Sequence, residues 1–332
     1  MNILIVKVSS LGDVVHTMPA VQDLRQALPG ARIDWVVERG FAPLVRRCAG
    51  VSRVIELDLR RWRKSPLSAG VRREWQAFRA ALRQQPYDAV IDLQGLTKSA
   101  LVAWLAALAP GGRRYALANR TDGAGYEPPT RWVADVAVPI EPHTHAVMRS
   151  RELCARALGY QVPDLECFGL EVQAQRSLDA IEKGVARAPV AFVHGTSRAD
   201  KQWPLAHWIE LGRRLNAEGH AVALPHGSEE ELRRSEALAR ELPLARVWPR
   251  LALDALADEM AGCAGVVGVD SGLSHIAVAL GLPHVQIYNF DTAWRTGPTG
   301  SARQCSVFAQ PAPTVDAVWQ AWQQVSATGS RQ

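Results

Sequence analysis

Hydrophobic positions along the chain fall into short continuous runs that alternate with longer stretches of helical spacing. Ile3-Leu-Ile-Val6 is an apolar run of strand length. A polar loop, Lys7 to Asp13, follows. Apolar residues then return at Val14, Met18, Val21, Leu24 and Leu28, the spacing of one helix face, until Pro29-Gly30 stops it. Pro19 fits if that helix starts near Thr17, which leaves proline in the first turn and Asp13 in the loop ahead. The alternation repeats, with strands expected at 33–37, 54–57 and 89–92 and helices at 74–84, 99–108 and 147–158. Residues 111–145 are less regular, and 159–171 read as loop. A second series begins with a strand at 189–193. It continues through helices at 205–218, 229–241 and 253–260, strands at 221–224, 266–269 and 285–288, and a last helix at 314–325. Wholly apolar strands alternating with helices predict parallel sheets covered on both faces. The expected class is α/β, with two doubly wound, Rossmann-like domains facing across a cleft. The expected divisions are 1–165, 166–312, and a C-terminal helix in 313–332 packing back on the N-terminal half.

A length of 332 residues supports two cores, and 48% hydrophobic with 21% charged residues is ordinary for a globular chain. A net charge of +5 suits an anionic partner: nucleic acid, anionic membrane or phosphorylated metabolite. Nucleic acid is not expected, because there is no helix-turn-helix, RNP or finger signature. The five cysteines form no CxxC pair and read as reduced thiols, not as disulfides or a zinc site. Residues 1–8 are wrongly flanked for a signal peptide. The longest apolar run, 100–109, is too short to span a bilayer, so any membrane contact is expected to be peripheral. Eleven tryptophans are many; some are expected in cores and some on carbohydrate or partner surfaces.

Four stretches can carry chemistry. The strand at 266–269 runs into Asp270-Ser-Gly-Leu-Ser-His275 and a helix expected to begin near His275. Free backbone N–H groups and the helix dipole at such a turn favour an anion, and Asp270 lies at the carboxyl end of the strand. The same residues also suit an ordinary helix capped by Ser271 or Ser274. The strand at 190–193 ends in His194-Gly-Thr-Ser-Arg-Ala-Asp-Lys-Gln-Trp-Pro204. Thr196, Ser197 and Lys201 there offer hydrogen bonds and a point charge to a diphosphate, or form a solvated loop. Lys7 to Asp13 is a strand-end loop without the G-x-G-x-x-G fingerprint, which weighs against an oxidoreductase. Its Asp13 either accepts a substrate proton or is a local cap. Arg60, Arg61, Arg63 and Lys64 surround Trp62 and, with Lys98 and Arg120, form either an anion-binding cluster or a charged surface.

Taken together and in order, several segments resemble the ADP-heptose:lipopolysaccharide heptosyltransferase family. They are Lys7 to Ala20, Asp34-Trp-Val-Val-Glu38, Arg60 to Lys64, Asp88 to Ser99, Arg151-Glu-Leu153, Asp200-Lys-Gln-Trp-Pro204 and Val269 to His275. The likeness spans nearly the whole chain and is nearer to the first enzyme of that series than to the second. It implies a GT-B glycosyltransferase that inverts the anomeric centre and needs no metal or other cofactor. The implied donor is ADP-L-glycero-β-D-manno-heptose, held mainly by the C-terminal half. The implied acceptor is a Kdo-bearing lipid A precursor, held by the N-terminal half in the cytoplasm, at the anionic inner membrane. By the same resemblance Asp13 is the general base. Thr196, Ser197, Lys201, Glu231, Asp270, Ser271, Gly272 and His275 fall on donor positions. Ser10, Gly12, Arg60, Arg61, Arg63, Lys64, Lys98 and Arg120 fall on the acceptor side. One departure stands out: Tyr288-Asn-Phe-Asp-Thr292 replaces a Tyr-Gly loop, a change that Asn tolerates where φ is positive. Three other readings remain: a second heptosyltransferase acting on a heptosylated acceptor, a nucleotide-sugar epimerase, and a non-catalytic nucleotide-sugar or glycolipid-binding protein.

Overall fold

The apolar runs become the inner strands of two parallel sheets. A computed structural model describes residues 1–173, 187–196 and 198–327. They divide into two units, Met1–Glu171 and Val172–Gln332. In the first unit the strands are β1 (Asn2–Val6), β2 (Arg32–Glu38), β3 (Val51–Leu57), β4 (Tyr87–Asp92), β5 (Leu108–Leu117) and β6 (Val136–Val138), in the order β3-β2-β1-β4-β5-β6. All neighbours are parallel, with Ile5 opposite both Trp35 and Ile91. Ile3, Leu4, Ile5 and Val6 are wholly buried, as a central strand covered on both faces requires. The helices are α1 (Leu11–Val15), α2 (Met18–Ala27), α3 (Ala42–Val45), α4 (Leu59–Trp62), α5 (Ala69–Leu82), α6 (Thr97–Leu105), α7 (Pro129–Val133) and α8 (Ala146–Leu158). Thr17 is the N-cap of α2 and Pro19 lies in its first turn.

The second unit repeats the plan. β7 (Arg187–Val193), β8 (His220–Leu224), β9 (Ala245–Val247), β10 (Gly265–Val269), β11 (His284–Tyr288) and β12 (Gln304–Phe308) lie in the order β12-β11-β10-β7-β8-β9. Phe192, Trp203, Trp208, Val267 and Trp322 anchor its core. In each sheet the strand order reverses once, between β1 and β4 and between β7 and β10. Ligands of such sheets bind outside the strand carboxyl ends at that reversal.

The structure corrects several expectations. Residues 111–145 contain part of β5 and all of β6. Gly111-Gly112, adjacent arginines and a register shift opposite Tyr87 hide them from a simple alternation. The short outer strands β9 and β12 were also not foreseen, since their exposure is mixed. Asp13 lies within α1, not in a loop. The helix after β10 begins at Gly272 rather than near His275. The first unit extends beyond 165, because the Ala49 N–H donates to Gly169 O (2.7 Å) and the Glu171 N–H to Arg47 O (2.8 Å). Buried Arg151 pairs with Asp23 (2.7 and 3.0 Å) and donates to the carbonyls of Pro163 and Leu165, tying that segment down. The last helix, Val315–Ala327, was expected to pack on the N-terminal half. Its buried face (Val318, Ala321, Trp322, Val325) instead completes the core of the second unit, against β11 and β12.

Candidate functional site

Both reversal points carry a carboxylate among cations. In the first unit Lys7 follows β1 directly, and its ammonium donates to Leu93 O (2.8 Å) just past β4. The Gln94 side chain accepts from Val8 N–H and Ser9 N–H (3.1 and 3.0 Å), locking the loop to β4. The Trp35 indole N–H fixes the Lys7 carbonyl (3.0 Å). Asp13 Oδ2 accepts from the Ser10 N–H (3.1 Å) and hydroxyl (2.9 Å). Its Oδ1 lies 3.5 Å from Lys7 Nζ and 3.5 Å from Arg149 Nη2. Burial alone would raise the Asp13 pKa, but Lys7, Arg149 and the Ser10 donors outweigh it and hold the carboxyl well below the usual carboxylate range. Burial lowers the pKa of Lys7, with Asp13 opposing and Arg149 adding to the shift. Arg149, on α8, also donates to Thr121 Oγ1 (3.1 Å), the residue after exposed Arg120.

The basic cluster divides. Arg61 is spent internally, bound to Asp58 (2.9 Å) and to Glu74. Arg60 takes its place through its backbone N–H, which donates to Glu38 Oε1 (3.1 Å). Lys98 donates to Ser9 Oγ (2.6 Å), next to the Asp13 loop. Burial lowers the Lys98 pKa; Glu38 opposes this, while Arg60 and Arg63 reinforce it. Arg60, Arg63 and Lys98 therefore share one field near Asp13. Ser10 and Gly12 belong to the Asp13 turn itself. Lys64 and Arg120 are exposed, and their side chains make no hydrogen bond or ion pair among the described residues.

In the second unit Gly195 and Thr196 follow β7, and Asp270 follows β10. Lys201 Nζ binds Asp270 Oδ2 (2.5 Å), and His275 Nε2 lies 3.6 Å from Oδ1. Thr196 Oγ1 donates to Asp270 O (3.4 Å). Asn289, from the altered loop, donates to the Asp200 and Gln202 carbonyls (3.1 and 2.9 Å) and so positions Lys201 between them. Neither candidate serine caps the helix Gly272–Ala279 with its side chain. Ser274 Oγ bonds back to Val269 O (2.6 Å), and the buried Ser271 hydroxyl has no hydrogen-bond partner among the described residues. A helix start not closed by a side-chain cap, beside a lysine and an unpaired hydroxyl, is suited to an oxyanion. Glu231 closes a capping box on the helix Glu229–Glu241, accepting from Gly227 N–H and Ser228 N–H (2.6 and 3.2 Å). It also packs on Gly195, where a Cβ would come within 2.3 Å of Glu231 Oε1. Ser197 lies outside the described residues.

Sequence reasoning did not single out Lys7 or Arg149. The signal for Lys7 was a cation directly after a wholly apolar strand. Arg149 lies on a helix in no motif, and the fold alone brings it to Asp13.

Comparison with known proteins places this chain among enzymes. The family profile described as "Glycosyltransferase family 9 (heptosyltransferase)" matches residues 75–320. Lipopolysaccharide heptosyltransferase 1 of Escherichia coli K12 is 42% identical over 289 residues, covering 87% of this chain and 88% of that protein. Lipopolysaccharide heptosyltransferase 2 of the same strain is 28% identical over 300 residues, covering 87% and 82%. E. coli heptosyltransferase WaaC has been solved with ADP and with ADP-2-deoxy-2-fluoro heptose. The ADP form superposes with a TM-score of 0.84 at 37% identity, covering 98% of this chain and all of WaaC.

Proposed function

The chain belongs to glycosyltransferase family 9, the heptosyltransferases, and on that premise we propose that it moves L-glycero-D-manno-heptose from ADP-heptose to the Kdo of a Kdo-lipid A acceptor. It is a glycosyltransferase of GT-B fold, and it is more similar to heptosyltransferase 1 than to heptosyltransferase 2. The observation that carries the chemical assignment is the Asp13 carboxylate, presented at the first reversal point and held ionised by Lys7, Arg149 and Ser10.

In this reading an acceptor hydroxyl attacks the anomeric carbon while Asp13 accepts its proton. The bond from that carbon to the diphosphate oxygen breaks, inverting the centre. Negative charge growing on the leaving ADP is met by Lys201, the Ser271 hydroxyl and the N–H groups opening the helix Gly272–Ala279. Thr196, Ser197, Glu231, Asp270 and His275 complete the donor site. Asp270 restrains Lys201 and His275, and Glu231 shapes the turn at Gly195. Arg60, Arg63, Lys64, Lys98 and Arg120 receive the acceptor's carboxylates and phosphates, a task that suits the bidentate guanidinium. Arg61 contributes by fixing α4 through Asp58 and Glu74. No helix among the described residues is long and apolar enough to cross a membrane. We place the reaction at the cytoplasmic face of the inner membrane, with peripheral contact.

The test is ADP release from ADP-heptose with Kdo-lipid A, with a heptosylated acceptor, and with none. Release that depends on Kdo-lipid A is expected. Release only with the heptosylated acceptor would assign the second transfer instead. Donor binding without turnover on either would favour a non-catalytic role.

A further inference from the structure

The first unit carries an apolar surface that the transfer chemistry does not use. A cavity of about 610 Å³ opens between α4, α5 and α6, lined by Leu57, Trp62, Trp75, Phe78, Leu101 and Val102, with Arg63 and Lys98 among its lining residues. Leu101 belongs both to this cavity and to the outer face of α6, where it is 44% exposed. Trp104, one turn further along α6, is 61% exposed, and Trp132 on the adjoining α7 is 78% exposed. Exposed tryptophans beside an open apolar cavity are unusual, because each leaves a large apolar ring in water.

Cations outnumber carboxylates around this surface. Two carboxylates border it: exposed Glu127, which lines the cavity, and Glu74, which is paired with Arg61. Glu127 accepts from the Thr97 N–H (2.6 Å) and hydroxyl, and Glu74 from Arg61 and the Trp62 indole N–H (2.9 Å). Arg63, Arg72, Arg73 and Arg131 are exposed and form no ion pair among the described residues. Apolar rings flanked by an excess of exposed cations match the boundary of an anionic bilayer, where indoles settle at headgroup depth and arginines meet phosphates.

We propose that this face docks on an anionic lipid bilayer, with Leu101, Trp104 and Trp132 entering the interface and the cavity receiving one acyl chain. The proposal rests on the acceptor reading for the identity of the lipid-borne substrate, and it gives that reading a surface. Docking would hold Arg63 and Lys98 at headgroup level, next to the Asp13 loop that Lys98 already touches.

The experiment compares the full-length protein with a Leu101→Ser/Trp104→Ser/Trp132→Ser variant, all exposed positions, after circular dichroism confirms folding. Co-sedimentation uses vesicles of phosphatidylcholine alone and of equimolar phosphatidylcholine and phosphatidylglycerol. Turnover is measured with a deacylated, soluble acceptor and with an acylated acceptor in the vesicles. Wild type is expected to bind the anionic vesicles, and the variant about tenfold more weakly. Turnover of the soluble acceptor should be unchanged, and turnover of the vesicle-borne acceptor should fall. Equal vesicle binding by the two proteins would overturn the proposal. So would a self-association that the variant abolishes, without vesicle binding, which would make the face a contact with a second copy. If neither protein turns over the soluble acceptor, the acceptor reading fails, while the sedimentation result still decides the docking.

Discussion

Each unit places an aspartate at the reversal of its winding, Asp13 beyond the first strand of the central pair and Asp270 beyond the second, and the two are set in opposite surroundings. At the first reversal point the cations lie behind and the acid in front: the Lys7 and Arg149 side chains are 2% and 8% exposed, and Asp13 is 34% exposed. At the second the order is inverted: Asp270 is 7% exposed and Lys201, in front of it, 19%. A carboxylate presented outward over fixed cations is an ionised proton acceptor. A lysine presented outward over a buried carboxylate, beside a helix start, is a seat for an anion. In the proposed reaction, the shared fold puts the chemistry at the strand reversals, and the order of charges from inside to outside suits the first unit to the acceptor's proton and the second to the leaving diphosphate.

That contrast predicts separable losses. Asp13→Asn should lower kcat by about 10²- to 10⁴-fold with ADP-heptose affinity retained, because the amide keeps the shape and removes the base. Lys201→Ala should instead weaken ADP binding and lower kcat/KM for the donor by roughly 10²-fold, with acceptor KM little changed. Steady-state kinetics with each substrate varied, together with calorimetric titration of ADP, separates the two. Loss of donor binding in the Asp13 variant would end the division of labour.

The units should also differ in acid. Burial pushes His194 and His284 in the second unit down to about 4. Between the unfolded-state value near 6.5 and that point only the unfolded chain takes up their protons, so stability falls with pH, by about 1.4 kcal/mol per pH unit for each fully engaged histidine. Burial pushes Asp92 in the first unit the other way, up to about 6, against the donors of Gln94, Gly95 and Ser99. There the folded state takes up the proton first, and stability rises as pH falls from about 6 toward the unfolded value near 4. Amide exchange at pH 6.5 and at pH 4.5 should show the second unit opening first. His194→Gln, which keeps a partner for Ser235, should delay it.

How far the chain could be read beforehand follows the same division. β1, β4, β7 and β10 are continuous apolar runs and were legible, and so were the polar turns after β1, β7 and β10. Asp270, Lys201 and Asp13 come with those turns. β6, β9 and β12 were missed because a short strand that is not buried on both faces has neither a long apolar run nor a clean alternation. Arg149 was illegible for another reason. It is separated from Asp13 by most of the first unit, and only the packing of α8 against α2 brings the two together. The split of the basic cluster was equally hidden, since nothing local says that Arg61 turns to Glu74.

Arg149 therefore offers the finest test of the inside-to-outside order. Burial would raise the Asp13 pKa, and Lys7 and then Arg149 are the two charges that reverse this. Because the folded value lies below the unfolded one, the acid limb of the rate profile belongs at low pH. The stability Asp13 contributes is present above the usual aspartate range and is lost as pH falls through the folded value. Arg149→Met keeps an apolar stem in the buried slot and removes one of the two cations. The acid limb of kcat/KM should then move up by about one pH unit, with a loss of roughly tenfold or less near neutrality. Arg149→Lys, which restores the charge without the guanidinium's fork to Thr121, should return the limb toward its original place and recover the rate only in part. A profile that keeps its shape in Arg149→Met while the rate simply drops would make Arg149 a packing residue. Asp13 would then owe its ionisation to Lys7 and Ser10 alone.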